Sequence, residues 1–164
     1  MNLELSVEDP RWDGLEFLAE RAARVVLDHC DLDADLCEVS LLGCDDARIA
    51  QLNTEFREKA SPTNVLSWPA EDLAADSAGQ TPILPEPDFS GEIALGDIAI
   101  SYDTCAREAA EAGKNMDDHV THLIVHGLLH LLGYDHIRDL DATLMEGVEV
   151  EILGKLGIDD PYNA

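Results

Sequence analysis

Three histidines near the C-terminal end of the sequence have the spacing of a metal-ligand set. His126 and His130 lie four residues apart in an apolar stretch, so on a helix both side chains share one face. Gly133 follows where a left-handed residue can end the helix and turn the chain, which brings His136 back toward the other two. Three imidazoles can hold zinc and leave its fourth position open, as in catalytic zinc sites. We therefore predict that His126, His130 and His136 bind one zinc ion (Zn²⁺).

The residue after the first histidine limits the chemistry. The stretch "HGLLHLLGYDH" has the spacing of the metzincin proteases, H-E-x-x-H-x-x-G-x-x-H, but Gly127 stands where those enzymes carry a glutamate. That glutamate moves a proton from the zinc-bound water to the leaving amine. Its absence disfavours a peptidase and favours a substrate with its own nucleophile, such as the 2′-hydroxyl of RNA. The glycine also leaves room for a substrate or a packed strand beside the helix.

Other polar residues around the histidines allow more than one interpretation. His119 and His122 lie on the same predicted helix, one turn or more before His126. His122 could support the ligands or contact substrate, but a place in the core or at its rim is the favoured interpretation. For Asp135 two interpretations stay open: it orients a ligand imidazole or replaces the missing base, or it is a turn residue.

The composition limits the partners of the chain. Its 164 residues fit one domain over 1–164, and 35 acidic against 10 basic residues give a formal net charge of -25. A uniformly acidic surface repels phosphates, which argues against broad, non-specific nucleic-acid binding. We expect neither DNA nor a membrane as a partner. A local basic cleft is still possible, lined by Arg21 and Arg24 on one helix and by Arg57 and Lys59.

The apolar periodicity predicts an α+β fold, in which a small mixed four-stranded sheet packs with about five helices and carries a zincin-like metal site. The predicted strands cover 3–7, 36–44, 64–69 and 91–101. The predicted helices cover 14–29, 45–57, 102–112, 116–132 and 140–156. Residues 70–90 are rich in Pro, Asp, Ala and Ser without a sustained period, which predicts a long, flexible acidic loop.

The cysteines and the first residues indicate the compartment. The four cysteines form no C-x-x-C pair, so we expect reduced and mostly buried thiols. The first ten residues have neither a basic nor an apolar region of a signal peptide, and no apolar run approaches membrane-spanning length. We therefore expect a cytoplasmic protein.

Four segments of the sequence together resemble one known family. In chain order they are "LNTEFREKASPTNVLSWP", "LGDIAIS", "HGLLHLLGYDH" and "MEGVEVEILGKLG". They are similar to the signature blocks of the YbeY family, which comprises bacterial endoribonucleases and rRNA maturation factors. The resemblance covers most of the chain from residue 51 onward, whereas the N-terminal third matches only as a strand–helix–strand pattern.

The resemblance implies roles for four residues. It places the family's zinc ligands on His126, His130 and His136, in agreement with their spacing. It places the family's functional arginine on Arg57, whose guanidinium suits a phosphate clamp because it binds phosphate oxygens in a forked geometry. Without the resemblance, a surface ion pair would be the favoured interpretation of Arg57.

Three further positions within the matching segments carry expectations. Asn64 stands where the family has aspartate, so it keeps hydrogen-bonding capacity and loses a charge. Trp68 stands where the family has phenylalanine, and it suits either the core or a stacking surface. Asp97, in "LGDIAIS", is expected to cap or brace the sheet near the site.

The resemblance implies a zinc-dependent, single-strand-specific endoribonuclease. Its expected work is ribosomal RNA processing, including 16S rRNA 3′-end maturation, and ribosome quality control. Ribosomal RNA, the small ribosomal subunit and ribosome-associated proteins are the expected partners. Two alternatives stay open: a ribosome-assembly factor that works by binding and holds a largely structural metal, and a metallopeptidase.

Overall fold

Each segment with a regular apolar period forms the element expected from it. The structure is a computed structural model, and it describes residues 1–59 and 61–162. Its elements are β1 (Asn2–Val7), α1 (Leu15–His29), β2 (Cys37–Cys44), α2 (Asp46–Arg57), β3 (Val65–Pro69), β4 (Ile93–Ser101), α3 (Tyr102–Ala112), α4 (Met116–Leu131) and α5 (Asp139–Lys155). The predicted α+β fold is confirmed, and a short 3₁₀ turn at Ala34–Leu36 is the one addition among these residues.

The strands form one mixed sheet in the order β1-β2-β4-β3. β1 pairs with β2 and β2 with β4 in parallel, whereas β3 runs antiparallel to β4. Parallel neighbours need a crossover, which α1 supplies between β1 and β2. β3 is therefore an edge strand, and it lies beside the helix that carries the histidines.

The core lies between one face of the sheet and the helices α1, α3, α4 and α5. α4 is its central helix, with Leu128, Leu129 and Leu131 almost fully buried, so it is apolar over most of its circumference. The sheet contributes Leu41 and Ile98, which are paired in register on β2 and β4. No helix among the described residues combines the length and apolarity that crossing a membrane requires.

The other face of the sheet is partly open. α2 covers one end of it, where Ile49 and Leu52 pack with Leu66 and Ala99. The N-terminus of α2 is capped by Asp45, whose carboxylate accepts from the Arg48 backbone N–H at 2.9 Å.

The segment 70–90 contains no helix or strand, as expected, but it is anchored at several points. Leu73 is 4% exposed, and its carbonyl accepts a hydrogen bond from the Ile83 N–H at 2.9 Å. Arg138 donates to the carbonyl oxygens of Ala75 and Asp76, both at 2.9 Å. These contacts attach the segment to the turn after α4, while its flexibility remains a prediction.

All four cysteines are free, in agreement with the expectation of reduced thiols. Cys37, Cys44 and Cys105 are buried, and Cys30 is half-buried. Burial raises the pKa of the Cys44 thiol to about 12 and that of Cys30 to about 11. Thiols with such pKa values stay protonated and act as small apolar side chains.

Candidate metal centre

The structure brings the three predicted ligands together. The Nε2 atoms of His126 and His130 lie 3.0 Å apart. The ring of His136 is centred 5.5 Å from that of His126 and 5.0 Å from that of His130. One nitrogen from each ring falls within 4.8 Å of the others, so the group could hold a metal ion.

The chain reversal after α4 depends on Gly133. Its φ is +99°, a left-handed conformation that side chains rarely adopt, and a Cβ there would lie 2.7 Å from the carbonyl carbon of Leu73. The Tyr134 N–H then donates to the Leu129 carbonyl at 3.0 Å, which closes the end of the helix. Gly133 therefore places His136 and also admits the anchored segment beside it.

Hydrogen bonds hold two of the imidazoles with their Nε2 atoms toward a common point. Nδ1 of His130 donates to the Tyr134 carbonyl at 2.9 Å, and Nδ1 of His126 donates to the Glu149 carboxylate at 2.5 Å. Because both partners only accept, Nδ1 carries the proton of each neutral ring, and the two Nε2 atoms then have lone pairs that face each other at 3.0 Å and suit a shared cation. Neutral imidazoles are ligands for zinc, copper, iron and nickel.

Burial, together with the neighbouring imidazoles of His126 and His136, lowers the pKa of His130 to about 4. The ring is therefore neutral over the ordinary pH range, as a metal ligand must be. Asp135 accepts a hydrogen bond from the His136 backbone N–H at 2.7 Å, which favours its interpretation as a turn residue that positions a ligand.

Glu149 on α5 belongs to the site and was not predicted. It is 0% exposed, and besides His126 its carboxylate contacts His122 Nε2 at 3.2 Å and accepts from the Tyr162 hydroxyl. Burial acts to raise its pKa, but the hydrogen bonds from His122, His126 and Tyr162 outweigh it and lower the pKa to about 2. In the sequence, Glu149 shares its helical spacing with Met145, Ile152 and Leu153, the other buried residues of α5, and this spacing could have indicated that Glu149 is buried.

Gly127 faces the sheet. A Cβ at this position would lie 3.3 Å from Cδ1 of Ile98 on β4, a tight contact that a side chain could make only if Ile98 shifted by a few tenths of an ångström. The packed strand, one of the two gains expected from the glycine, is found here, and Gly127 also lines the cleft beside the histidines, where a substrate could approach. The Cβ of a glutamate at 127 would already contact the apolar side chain of Ile98.

A cleft of about 510 Å³ lies beside the three histidines, and we call it the histidine cleft. Its polar and charged lining residues are Asn53, Arg57, Lys59, Ser61, Thr63, Asn64, Ser67, His122, His126, His130, His136 and Tyr162. No carboxylate is among the described lining residues, although the chain has 35 Asp and Glu. Arg57 and Lys59 give this part of a strongly acidic protein a positive charge.

Arg57 is the last residue of α2 and points along the histidine cleft. Its Nη2 donates to the Ser67 carbonyl on β3 at 3.0 Å. Other arginines form ion pairs, such as Arg11 with Asp9 and Arg48 with Glu8, but Arg57 forms none with the described residues. Its guanidinium is therefore oriented by a neutral acceptor and keeps its charge for a ligand.

Two predicted placements are wrong. Arg21 donates to the Leu156 carbonyl at 2.8 Å, and Arg24 lines a separate depression with Lys155, because both lie on α1, apart from the histidine cleft. Asp97 is exposed in the groove on the open face of the sheet, because side chains alternate along β4 and its neighbour Ile98 is the one that meets α4.

Asn64 and Trp68, which differ from the family's aspartate and phenylalanine, both make local contacts in the structure. The Asn64 amide donates to the Glu108 carboxylate at 3.1 Å, and Glu108 also pairs with His119 at 3.0 Å. An aspartate at 64 would place a second carboxylate against Glu108. Trp68 packs edge-to-face on Phe56, with ring centres 5.5 Å apart, on the open face of the sheet.

Comparison with known proteins decides the family. The model of the family described as "Endoribonuclease YbeY" matches residues 6–157. The chain belongs to the YbeY family. A relative named Endoribonuclease YbeY from Ruegeria pomeroyi is 71% identical over 99% of this chain and 98% of its own length. Another of that name from Bartonella quintana is 42% identical over 99% and 97%.

A solved structure shares the fold. The solution structure of a Thermotoga maritima protein matches with a TM-score of 0.57 and 20% identity, and it covers 99% of both chains. Membership of the YbeY family supports an endoribonuclease role, to which a three-histidine group and a positively charged cleft are suited.

Proposed function

We propose that this chain is a zinc-dependent endoribonuclease that cleaves single-stranded RNA, with His126, His130 and His136 as metal ligands. The observation that carries the proposal is the histidine cleft: a lining without carboxylates among the described residues beside three imidazoles, in a chain with a net charge of -25. Elsewhere the surface repels phosphates, so an RNA strand would be admitted where Arg57 and Lys59 lie. Zinc suits three neutral imidazoles with an open fourth position.

The chemistry follows from the residues that are present and from the base that is missing. When bound, zinc would supply a Lewis acid that polarises a phosphate oxygen or a water. We propose the ribose 2′-oxygen as the nucleophile: it bonds to phosphorus, the bond to the 5′-oxygen breaks, and a 2′,3′-cyclic phosphate and a 5′-hydroxyl result. The 2′-hydroxyl releases its proton to solvent, and the 5′-oxygen takes one up. Arg57 would stabilise the negative charge on the phosphate oxygens.

The cellular role that we propose is ribosomal RNA processing in the cytoplasm, including 16S rRNA 3′-end maturation and ribosome quality control. Family membership supports this role. The net charge predicts weak affinity for free RNA, because two basic residues in one cleft oppose a large negative charge elsewhere. The small ribosomal subunit and its associated proteins would then provide the additional binding.

The decisive experiment combines metal analysis with RNA cleavage. We expect purified wild-type protein to bind one zinc ion and to cleave a single-stranded RNA. His130→Ala should lose both zinc and activity, whereas Arg57→Ala should keep zinc and lose about 10²-fold in activity. Arg24→Ala, which lies outside the histidine cleft, is the matched control and should behave as wild type.

The nucleophile and the alternatives are tested with the same protein. An RNA with a single 2′-deoxy residue at the cleavage position should resist cleavage there; cleavage at that position would mean that water attacks. A His126→Ala protein that stays folded and still restores rRNA processing in cells would support an assembly factor with a structural metal. Activity on a peptide library with none on RNA would support a metallopeptidase, which Gly127 disfavours.

A further inference from the structure

The carboxylate of Glu149 connects the candidate metal centre to the C-terminal segment. One oxygen accepts from Nδ1 of His126 at 2.5 Å, and the other faces His122 Nε2 at 3.2 Å and the Tyr162 hydroxyl. The side chain has no exposure to solvent. The two oxygens therefore differ in what they do, since one contacts a predicted ligand and the other contacts the groups that hold the carboxylate in place.

The burial of the Glu149 carboxylate in the core carries an energetic cost, so its presence there indicates a role. Removing a charged carboxylate from water is costly unless hydrogen bonds compensate it, and Glu149 lies among Met145, Ile152 and Leu153, the other buried residues of its helix. An apolar residue would suit this part of α5 better for folding alone. Hydrogen bonds from His126, His122 and Tyr162 supply that compensation, and the one from His126 also fixes the ring orientation and makes the imidazole a better metal donor.

Tyr162 is the outer member of this group. It lies beyond α5, where its backbone N–H donates to the Asp160 side chain at 2.8 Å, and its ring packs edge-to-face on His122 with centres 5.7 Å apart. Its side chain is 45% exposed and lines the histidine cleft, so it stands between the Glu149 carboxylate and solvent. Desolvated in this way, the carboxylate acts more strongly on His126 than an exposed one would.

We infer that Glu149 and Tyr162 are positioning residues of the metal centre: Glu149 orients His126 for metal binding, and Tyr162 holds and desolvates Glu149, so that the segment after α5 controls how tightly the metal is retained. This inference rests on the proposed function only in taking His126, His130 and His136 as metal ligands. It concerns residues that touch a ligand rather than the metal or the substrate.

The test measures zinc affinity directly, by competition with a chromophoric chelator and with zinc as the only added ligand. We expect Glu149→Gln to bind zinc about 10- to 100-fold more weakly. Tyr162→Phe removes one hydrogen bond and should weaken binding by about three- to tenfold. The matched controls are Glu151→Gln, an exposed carboxylate on the same helix, and Tyr102→Phe, which packs on Trp12; both should match wild type.

A second measurement separates positioning from a merely structural role. Glu149→Gln removes a buried carboxylate that His122, His126 and Tyr162 hold by hydrogen bonds, so the zinc-free protein should melt at a lower temperature; a positioning role requires that the zinc affinity of the folded protein falls as well. The visible absorption of the cobalt-substituted protein should also change in Glu149→Gln and Tyr162→Phe, because the orientation of His126 changes. A lower melting temperature with unchanged affinity and spectrum would overturn the inference.

The outcomes also distinguish this inference from the proposed function. If wild-type protein binds no zinc, the proposed metal centre fails. If wild type binds zinc and cleaves RNA while Glu149→Gln binds zinc equally well, the inference fails alone.

Discussion

Two clefts meet at His130 and His136, and they differ in charge. The histidine cleft has no carboxylate among its described lining residues. The second, which we call the acidic cleft, has a volume of about 420 Å³ and is lined by Glu71, Asp72 and Asp135. Arg57, Ser67, His130 and His136 line both. Under the proposed function, a phosphate backbone would be admitted to the same centre from one side and repelled from the other.

The difference has its origin in the chain between β3 and β4. Glu71 and Asp72 begin the anchored segment, whose Leu73 packs against Gly133 at the turn after α4. The histidine cleft is instead built from the end of α2 and the residues up to β3, where the sequence contains Ser, Thr, Pro and Asn. We expect an RNA strand to follow the histidine cleft and to leave the centre away from the acidic cleft.

Reversing the charge that both clefts share should have the largest effect. Arg57→Glu would give both clefts a carboxylate, and we expect RNA cleavage to fall by on the order of 10²–10³-fold in kcat/KM. Zinc content should stay at the wild-type level, because Arg57 contacts Ser67 and no predicted ligand. Arg24→Glu is the control with the same charge change. Equal losses in the two variants would show that net charge, and not the cleft, governs activity.

Making the acidic cleft basic should remove the difference between the two clefts. In a Glu71→Lys, Asp72→Lys double variant we expect about tenfold tighter binding of single-stranded RNA at low salt, because two carboxylates no longer repel phosphates. Fluorescence anisotropy over a salt series measures this. Glu16→Lys, Glu20→Lys on α1 gives the same change of net charge elsewhere. If this control variant tightens RNA binding as much as the Glu71→Lys, Asp72→Lys variant, the acidic cleft has no special role.

Removing the positive charge of Lys59 from the histidine cleft should weaken RNA binding. Lys59→Ala should weaken RNA binding about three- to fivefold and reduce the slope of log K against log salt by about 0.7, as expected for the loss of one phosphate contact with a single strand. Lys114→Ala, outside the cleft, should leave the slope unchanged. An unchanged slope in Lys59→Ala would place the RNA backbone elsewhere.

The smallest effect is expected at the rim of the histidine cleft. Asn64→Asp would set a carboxylate against Glu108, 3.1 Å from the present amide nitrogen, and should lower the unfolding free energy by about 1 kcal/mol at pH 7. Denaturant unfolding measures it.

A second substitution gives the control for this prediction. Adding Glu108→Gln to Asn64→Asp restores a carboxylate–amide pair with the two roles exchanged, and it should recover most of the lost stability. No recovery would mean that the loss comes from another contact of Asn64, such as its acceptance from the Val65 N–H at 2.6 Å.

The structure also separates what local sequence can predict from what it cannot. α3 and α4 were predicted to within one residue, because apolar periodicity and a following glycine act over one or two turns. The grouping of His126, His130 and His136 could also be predicted locally, because it depends on a helical spacing followed by a left-handed turn. Family resemblance added Arg57, which the residues alone would have assigned to a surface ion pair.

What sequence reasoning missed or misplaced depends on packing between distant elements. Glu149 is 23 residues from His126, and only the packing of α5 against α4 brings them together. Asp97 and Ile98 are neighbours, and their alternation is evident in the sequence, but which face of the sheet the helices cover is decided by the whole core. Arg21 and Arg24 were grouped with Arg57 by charge alone.

Gly127 shows how folding can restrict the evolution of a reaction. The position that holds the base in metzincin proteases is occupied here by the contact between α4 and Ile98 of β4. A mutation to glutamate would gain a base and disturb the core in the same step, so selection for a stable protein acts against it. In a lineage that begins with this packing, a glutamate at 127 would require the Ile98 side chain to shift, so that route to peptide hydrolysis carries a cost in stability.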